Sequence, residues 1–504
     1  MLVDVTEEVQ KEVERCRRAV EAAVAEIVEF VTPGGDRRRL VEVERGLVSR
    51  LLALGRLLVA LWLANRRPQR PEGRIQGPDG RFYRRDRARP TSVKVSFGTV
   101  RYKRDLYVVN RGGRGDTYAP MDREIGVQTT RFSLLCISVA TWLAAKMPYA
   151  EVGSTLRQFW GWAPATKSIM KMVNQVGPLV RPFIDACPPP EDDGEVIVIL
   201  VDAGGAPMIT ETEMARRRKP HKKHPRGEST ARLRVRKPRH RKRRHKGDKS
   251  KNAKMATVGV IYTVRRVPAG VVGPIHKRVY GTFRSTEHLF MWLCGEAIKR
   301  GYGTKRTLFL ADGDHKLWHL QERYFPKAEV CADWYHVVEK FWSMGTTIHE
   351  EGSSELATWV RKQTDDLHAG RVEEIILRLD EIAATLRGPG AAGKRARLEA
   401  GIKYLANNAH RMPYAKLWNE GLDIATSVVE SAIRQLVRQR LDASGMRWSP
   451  ARAEHVLHLR CIVLNDQWEE FERYMFEQAH AVGLREQQPP DLGRAHDAKR
   501  KEAA

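Results

Sequence analysis

The sequence has few cysteines, and none of them forms a recognisable pair. Its 504 residues contain six, scattered along the chain and without a C-x-x-C spacing. This pattern argues against a disulfide framework and against a zinc finger, and it fits a reducing compartment. The six are Cys16, Cys136, Cys187, Cys294, Cys331 and Cys461.

Motifs for nucleotide binding and for export are missing as well. No G-x-x-x-x-G-K-[ST] loop occurs, so the sequence predicts no nucleotide cofactor. The beginning of the chain, 3–8, does not have the pattern of a signal peptide. The most apolar stretch, Leu47–Ala64, is interrupted by Arg50 and Arg56, which favours a buried helix over a membrane span. We therefore expect a cytoplasmic protein without a membrane partner.

Acidic residues are scarce relative to basic ones. The chain has 61 Asp and Glu against 88 Lys and Arg, a net charge of +27. Residues 216–251 alone hold 19 Lys and Arg and only two acids. Such a tract is drawn to nucleic acid, because each phosphate contact releases counterions. We predict a mobile basic insertion over 211–252 with Arg241, Arg243 and Arg244 as DNA contacts, and association with the nucleoid. A generally basic soluble protein is the alternative.

Periodicity and composition divide the first part of the chain. Residues 1–66 predict a helical hairpin, with helices at about 5–30 and 37–66 on either side of the turn Pro33-Gly34-Gly35. The hairpin serves either oligomerisation or packing on the same chain. A basic linker rich in proline, glycine and arginine follows over 67–90.

Residues 91–187 predict a small β element followed by a helical DNA-binding region. Short helices joined through Gly161-Trp162-Ala163-Pro164 are typical of a helix-turn-helix. The helix near 165–180 carries Lys167 and Lys171, which we predict to contact DNA. A plain helical packing unit is the alternative.

The rest of the chain predicts a catalytic region over 194–475 and a charged tail over 476–504. The catalytic region begins after a break in composition at 187–194. It contains two insertions, the basic tract 211–252 and an almost wholly helical stretch over 337–425.

Two acids follow two predicted strands of the catalytic region. The apolar runs Glu195–Val201 and Arg306–Ala311 end at Asp202 and Asp312. The small residues Ala203-Gly204-Gly205 after Asp202 would let a phosphate approach the backbone. Two further strands and a helix lie between them, which gives the order β-β-β-α-β. In a ribonuclease-H-like fold, this order places the first and fourth strands side by side. We therefore predict an α/β fold with a ribonuclease-H-like mixed sheet and a helical insertion, plus a mostly helical N-terminal region.

Carboxylates that meet at one point repel each other unless cations neutralise them. Mg²⁺ suits them, since it prefers oxygen ligands and is commonly held by one or two carboxylates plus substrate phosphate. We predict two such ions, about 4 Å apart, with Mn²⁺ as a substitute. Glu430 is the candidate third ligand, on a helix where Arg434 shares its face. Asp314 and Asp333 are rivals for the second ligand position.

These residues resemble the DDE transposases of bacterial insertion sequences, of the ISKra type, related to the Mutator-like group. The resemblance covers roughly 90–475 and implies a metal-dependent triad at Asp202, Asp312 and Glu430. Asp314 departs from the family, where an alanine is frequent. The matching motifs are Val201-Asp202-Ala203-Gly204-Gly205-Ala206-Pro207-Met208, Ala311-Asp312-Gly313-Asp314, Cys331-Ala332-Asp333-Trp334-Tyr335-His336, Val429-Glu430-Ser431-Ala432 and Ser444-Gly445-Met446-Arg447-Trp448-Ser449.

Further candidate DNA contacts lie near the triad. We interpret His336 as a contact to phosphate or to the scissile strand, with a core histidine capped by Asp333 as the alternative. Arg434 shares the triad helix. Arg447 would bind phosphate in a bidentate manner, and Trp448 would stack on an unpaired base. Ordinary packing and surface charge are the alternatives for the last two.

The resemblance implies a DNA transposase. Such a protein binds the terminal inverted repeats of its element, cleaves them by metal-dependent hydrolysis and joins the freed 3′-OH to target DNA. Its partners would be these DNAs and further copies of the same chain. A catalytically inactive or domesticated basic DNA-binding protein is one alternative. A nuclease of the same fold without strand transfer is the other.

Overall fold

The structure is a computed structural model that describes residues 5–32, 37–68, 71–109, 116–128, 130–209, 214–215, 253–268, 270–388, 390–443 and 446–485. The chain forms two compact units. Unit 1 comprises Met1–Phe183 and Asp466–Gln488, and unit 2 comprises Ile184–Asn465 and Pro489–Ala504.

Unit 1 combines helices with an antiparallel sheet of four strands in the order β1-β2-β3-β4. Two 27-residue helices occupy the range of the predicted hairpin. The elements are α1 (Val5–Val31), α2 (Leu40–Arg66), β1 (Arg74–Gln76), β2 (Phe82–Val95), β3 (Gly98–Val108), β4 (Thr117–Tyr118), α3 (Pro120–Glu124), α4 (Leu134–Lys146), α5 (Tyr149–Trp160), α6 (Thr166–Val176) and α7 (Val180–Ala186), the last of which crosses the division between the units.

Two boundaries in unit 1 differ from the prediction. The segment 67–90, predicted as a linker, contains β1 and the beginning of β2, because Tyr83 is buried there and its ring packs on Tyr118. The helix Trp468–Ala481 belongs to unit 1, although the sequence assigned its first part to the catalytic region. Its Phe471 ring packs edge-on against Phe183, which the apolar pattern alone did not reveal.

The most apolar stretch of the chain forms α2, but it is not the buried helix that the sequence predicted. Only 11% of its most apolar 18-residue window is buried, and the mean hydropathy of that window is 1.8. The helix packs on α1 and, through Leu63, on a cluster that includes Val93, Val100 and Tyr102 of the sheet. Gly55 also lies against the ring of Phe97, and several large apolar side chains of α2 stay exposed. By length and composition, α2 is the one described helix that could cross a membrane.

Unit 2 is built on a mixed sheet of five strands in the order β7-β6-β5-β8-β9. The strands β5, β6 and β7 pair antiparallel in sequence, whereas β5, β8 and β9 run parallel. The first and fourth strands in chain order, β5 and β8, are therefore adjacent, as the sequence predicted. The strands are β5 (Val196–Pro207), β6 (Ala253–Val267), β7 (Gly270–Thr282), β8 (Arg306–Ala311) and β9 (Glu329–Ala332).

Helices surround this sheet and fill the predicted helical insertion. The helix Ser427–Ile433 carries Glu430 and runs into a π-helical turn, Arg434–Arg438, before the final helix of the unit. They are α8 (Thr286–Lys299), α9 (His315–Tyr324), α10 (Trp334–Gly345), α11 (Ser354–His368), α12 (Val372–Thr385), α13 (Ala391–Asn408), α14 (Tyr414–Asn419), α15 (Ser427–Ile433) and α16 (Pro450–Leu464).

Strand β5 extends beyond the point where the sequence predicted its end. The prediction placed the end before Asp202, but pairing with β6 continues to Pro207, opposite Ala253. Pairing with β8 stops at Val201 and Ala311. One side of β5 is therefore open from Asp202 onward, which is where a site can form.

Candidate active site

Asp202 and Asp312 stand side by side at the edge of the sheet. Val201 and Ala311 are the last paired residues of the parallel strands β5 and β8, and the two acids follow them directly. Both acids are half-buried. Burial raises the pKa of the Asp202 carboxyl, and the negative charges of Asp312 and Glu430 raise this pKa further. The three carboxylates therefore lie within electrostatic reach of one another.

Glu430 reaches this edge because α15 packs against β5. A Cβ atom on Gly204 would lie 2.7 Å from Cγ2 of Ile433, so only a glycine lets the helix approach this closely. Ile433 is buried in the contact, while Glu430, three residues earlier on the helix, is exposed. We had interpreted the small residues after Asp202 as room for a phosphate. At Gly204 this is wrong, because Ile433 occupies the space.

Asp202 and Asp312, the two acids at the strand ends, are the residues of this site that suit a divalent cation. Within the described parts of the chain, no group of three or more His, Cys, Asp or Glu side chains could hold a metal ion. Asp202 and Asp312 supply the hard oxygen ligands that Mg²⁺ prefers, and one or two carboxylates plus phosphate are its common protein environment. Glu430 contributes its charge to the site but does not complete a chelating cluster in this structure.

Asp314, one rival for the second ligand position, caps α9. Its Oδ1 accepts a hydrogen bond from the N–H of Lys316 at 2.9 Å. Its own N–H donates to Oδ1 of Asp312 at 3.0 Å, which holds the Asp312 carboxylate in place. The geometry therefore favours Asp312 as the ligand and Asp314 as its support.

Asp333, the other rival, is fully buried and caps α10. Its Oδ1 accepts from the N–H of Thr426 at 2.7 Å. Its Oδ2 accepts from the N–H of His336 at 3.1 Å and lies 2.5 Å from Nδ1 of the same residue. Both carboxylate oxygens are thus engaged. Asp333 orients His336 and does not face the site as a ligand.

His336 combines features of both interpretations that the sequence left open. Asp333 caps it, but its side chain is 36% exposed, so it is not a core histidine. The hydrogen bond with Asp333 raises the pKa of His336 to about 9, and the charges of Asp312 and Asp202 add to this increase. An imidazolium therefore stands beside the two strand-end acids at neutral pH.

A pH titration tests this arrangement. Because the folded-state pKa of His336 is raised, its ion pairs stabilise the fold fully below the ordinary value of about 6.5, and this contribution is lost as pH rises through about 9. We expect the imidazole signal to titrate near pH 9 by NMR, and near the ordinary value in Asp333→Asn. The free energy of unfolding should differ between wild type and His336→Gln more at pH 6 than at pH 10. The exposed His319→Gln serves as control. A wild-type midpoint near 6.5 would contradict the arrangement.

Tyr404 is a site residue that the sequence analysis missed. Its ring covers Gly313, where a Cβ atom would lie 2.2 Å from the ring. The hydroxyl is buried and makes no hydrogen bond to any described residue. Burial, together with the charges of Asp312 and Asp333, raises the pKa of Tyr404 to about 12. No local pattern identifies this tyrosine, which lies in the last part of α13.

The remaining predicted contacts have different surroundings. Arg434 and Arg447 are exposed in unit 2. Lys167 and Lys171 are exposed on one face of α6 in unit 1, as predicted, with Ile169 and Val173 buried between and after them. Their role in DNA binding stays a prediction. The three remaining contacts lie outside the described residues: Arg241, Arg243 and Arg244.

Trp448 is buried, so its ring is not available to stack on a base in this structure. Only 4% of the residue is exposed. The indole N–H donates to the carbonyl of Leu441 at 2.8 Å, and the guanidinium of Arg440 lies 4.9 Å from the ring centroid. The backbone N–H of Trp448 donates to the carbonyl of Pro207, at the end of β5. The packing alternative is therefore the correct one.

We expect Trp448→Ala to destabilise the protein by about 3–5 kcal/mol, the usual cost of removing a buried aromatic ring. The matched control is Trp342→Ala, since this ring is 44% exposed and should cost less than about 1 kcal/mol. Urea unfolding followed by circular dichroism gives both values. Unchanged stability with weaker DNA binding would instead support base stacking.

No protein-family model matches the chain, and no curated protein matches it either. The function therefore has to be argued from the site itself.

Proposed function

We propose that this chain is a DNA transposase of the DDE type, with Asp202, Asp312 and Glu430 as its acidic triad. The observation that carries the proposal is the register of β5 and β8, which sets the first two acids side by side. The negative charge of Glu430 contributes to the raised pKa of Asp202, which supports the inclusion of Glu430.

The sheet of unit 2 supports a ribonuclease-H-like fold. The strand order is β7-β6-β5-β8-β9, and β6 runs in the opposite direction to the other four strands. This is the arrangement expected for that fold. The chain then forms helices between β9 and the helix of Glu430. A helical insertion at this point is typical of the transposase family that the sequence resembles.

The residues of the site have separate tasks in the proposed reaction. Asp202 and Asp312 would hold Mg²⁺ or Mn²⁺, which supply Lewis-acid activation of the attacking oxygen and charge neutralisation when bound as a pair. Glu430 would join them when DNA and cations offset the repulsion between the carboxylates. The His336 imidazolium, oriented by Asp333, would donate to a phosphate oxygen.

The Tyr404 hydroxyl is proposed as a second donor to the scissile phosphate. It is buried beside Asp312 and has no described partner, so a phosphate oxygen would satisfy it. Tyr404→Phe keeps the ring on Gly313 and should lower the rate of end cleavage about tenfold to a hundredfold. Tyr335→Phe, at a tyrosine that is 52% exposed, is the control. Equal rates for Tyr404→Phe and wild type would remove Tyr404 from the site.

DNA binding would involve both units. The exposed lysines of α6, the arginines near the triad and the basic tract 216–251 would neutralise phosphates, so affinity should fall steeply with salt. We propose that the protein acts in the cytoplasm at the nucleoid, as a homo-oligomer on the element ends.

A strand-transfer assay tests this function and separates it from the two alternatives. The full chain is mixed with labelled element ends and target DNA, in Mg²⁺ or Mn²⁺. A transposase yields end cleavage and joined products. A nuclease of the same fold yields cleavage alone, and an inactive DNA-binding protein yields a shifted complex without either product. Either of the last two results would reject the proposal.

A further inference from the structure

The hairpin of α1 and α2 carries an apolar surface that the described chain leaves exposed. Five large apolar side chains of α2 are between 46 and 52% exposed, and three valines of α1 are at least 44% exposed. We propose that this surface, which we call the hairpin face, binds the hairpin face of a second copy of the chain. Its residues are Val24, Val28, Val31, Val41, Val48, Leu51, Leu58 and Trp62.

The spacing of these residues is that of a coiled coil. On α2, positions 41, 48 and 62 are separated by multiples of seven. Positions 51 and 58 are themselves seven apart, and each lies three residues after a position of the first series, 48 or 55. These five residues occupy a and d positions of one heptad frame, whose remaining a and d positions on α2 hold Glu44, Gly55 and Asn65. On α1 the steps are four and then three, which also fit a heptad. A repeat of 3.5 residues keeps a stripe directed at a partner helix along its whole length.

One heptad position of α2 is filled by another part of unit 1. Gly55 lies at an a position, and a Cβ atom there would be 2.6 Å from the ring of Phe97. Phe97, between β2 and β3, is itself 36% exposed. The Phe97 ring therefore occupies the space beside Gly55 and adds an apolar side chain to the hairpin face at this position.

The hairpin face is large enough for a specific dimer. A helix of 27 residues is about 40 Å long and about 10 Å wide. One side of α2, with the exposed end of α1, therefore offers roughly 500 Å² per copy. Two copies would bury about 1,000 Å² in total, which reaches the lower limit of specific interfaces.

A lipid bilayer is the other possible environment for α2, and the contacts of the helix disfavour it. The guanidinium of Arg50 lies 3.8 Å from the ring centroid of Phe30 on α1, and Leu63 is buried against the sheet. Insertion would break both contacts and place Arg50 and Arg56 in the hydrocarbon. Pairing with a second copy keeps the contacts and covers only the exposed side.

Sedimentation velocity of the full chain at low micromolar concentration, without DNA or metal, tests the proposal. We expect a dimer for wild type and a monomer for Leu51→Glu/Leu58→Glu, with the dissociation constant raised at least a hundredfold. Leu135→Glu is the matched control, because this leucine of α4 is 51% exposed outside the hairpin face. All substituted positions are exposed, and circular dichroism should show unchanged helix content.

The proposal is overturned by a monomeric wild type or by a dimer that the leucine variant leaves intact. Flotation of the wild type with phosphatidylglycerol vesicles, without dimerisation, would assign the surface to a membrane instead. None of these outcomes depends on the catalytic proposal.

Discussion

Replacing either strand-end acid by asparagine should abolish end cleavage without destabilising the protein. We expect Asp202→Asn and Asp312→Asn to lower the cleavage rate at least a thousandfold, because each removes a ligand whose cation supplies several kcal/mol of transition-state stabilisation. Stability should stay constant or rise. The Asp202 carboxylate is half-buried near two other acids, and burial raises its pKa, so its charge is unfavourable in the folded state.

The control for this pair is Asp314→Asn. Asp314 is only two residues from Asp312, but it caps α9, and an asparagine can accept the same hydrogen bond. Its cleavage rate should remain within about tenfold of wild type. Gel analysis of labelled DNA ends gives the rates, and thermal unfolding gives the stability. If Asp314→Asn is as inactive as the others, the second ligand has been assigned to the wrong residue.

A larger side chain at Gly204 should lower the cleavage rate by displacing the helix that carries Glu430. The β carbon of a valine there would meet Ile433 at 2.7 Å, and the buried Val437 offers little room to move. The helix α15 would have to shift away from β5 and take Glu430 with it. A displacement of about 1 Å at a catalytic group costs on the order of a hundredfold in rate. We expect this loss for Gly204→Val, with destabilisation of about 1–3 kcal/mol from overpacking.

The neighbouring glycine provides the control. A Cβ atom on Gly205 would lie 3.3 Å from the sulfur of Met255, the flexible part of a side chain that is 54% exposed. Gly205→Ala should therefore change the cleavage rate less than threefold. Both variants are compared at a temperature where both are folded. If Gly204→Val cleaves as fast as Gly205→Ala, the position of α15 does not matter and Glu430 is not part of the site.

Local patterns were enough to predict much of the fold. Apolar runs identified β5 and β8, and the apolar periodicity identified α1, α2 and the helices between β9 and Glu430. The strand order then brought Asp202 and Asp312 together, because parallel neighbours end at the same edge of a sheet. These features depend on residues close to one another in sequence, or on rules of chain connection that hold for many folds.

The errors have a common physical origin. Trp448 was interpreted as an exposed ring, α2 as a buried helix and Gly204 as room for phosphate. For the tryptophan and the glycine, the outcome depended on what a distant segment places against the residue: Pro207 against Trp448, and Ile433 against Gly204. Burial is a property of packing between segments, and a linear pattern does not specify the partner.

The sequence by itself determined the positions of the acids, the strands that carry two of them and the excess of positive charge. Only the tertiary structure decided which acids act as caps, that Tyr404 lies over Gly313, and that one side of α2 stays exposed. The reason is that hydrogen bonds and hydrophobic contacts between residues far apart in the chain exist only after the segments have packed. The choice between a capping role and a ligand role for a carboxylate is made by those contacts.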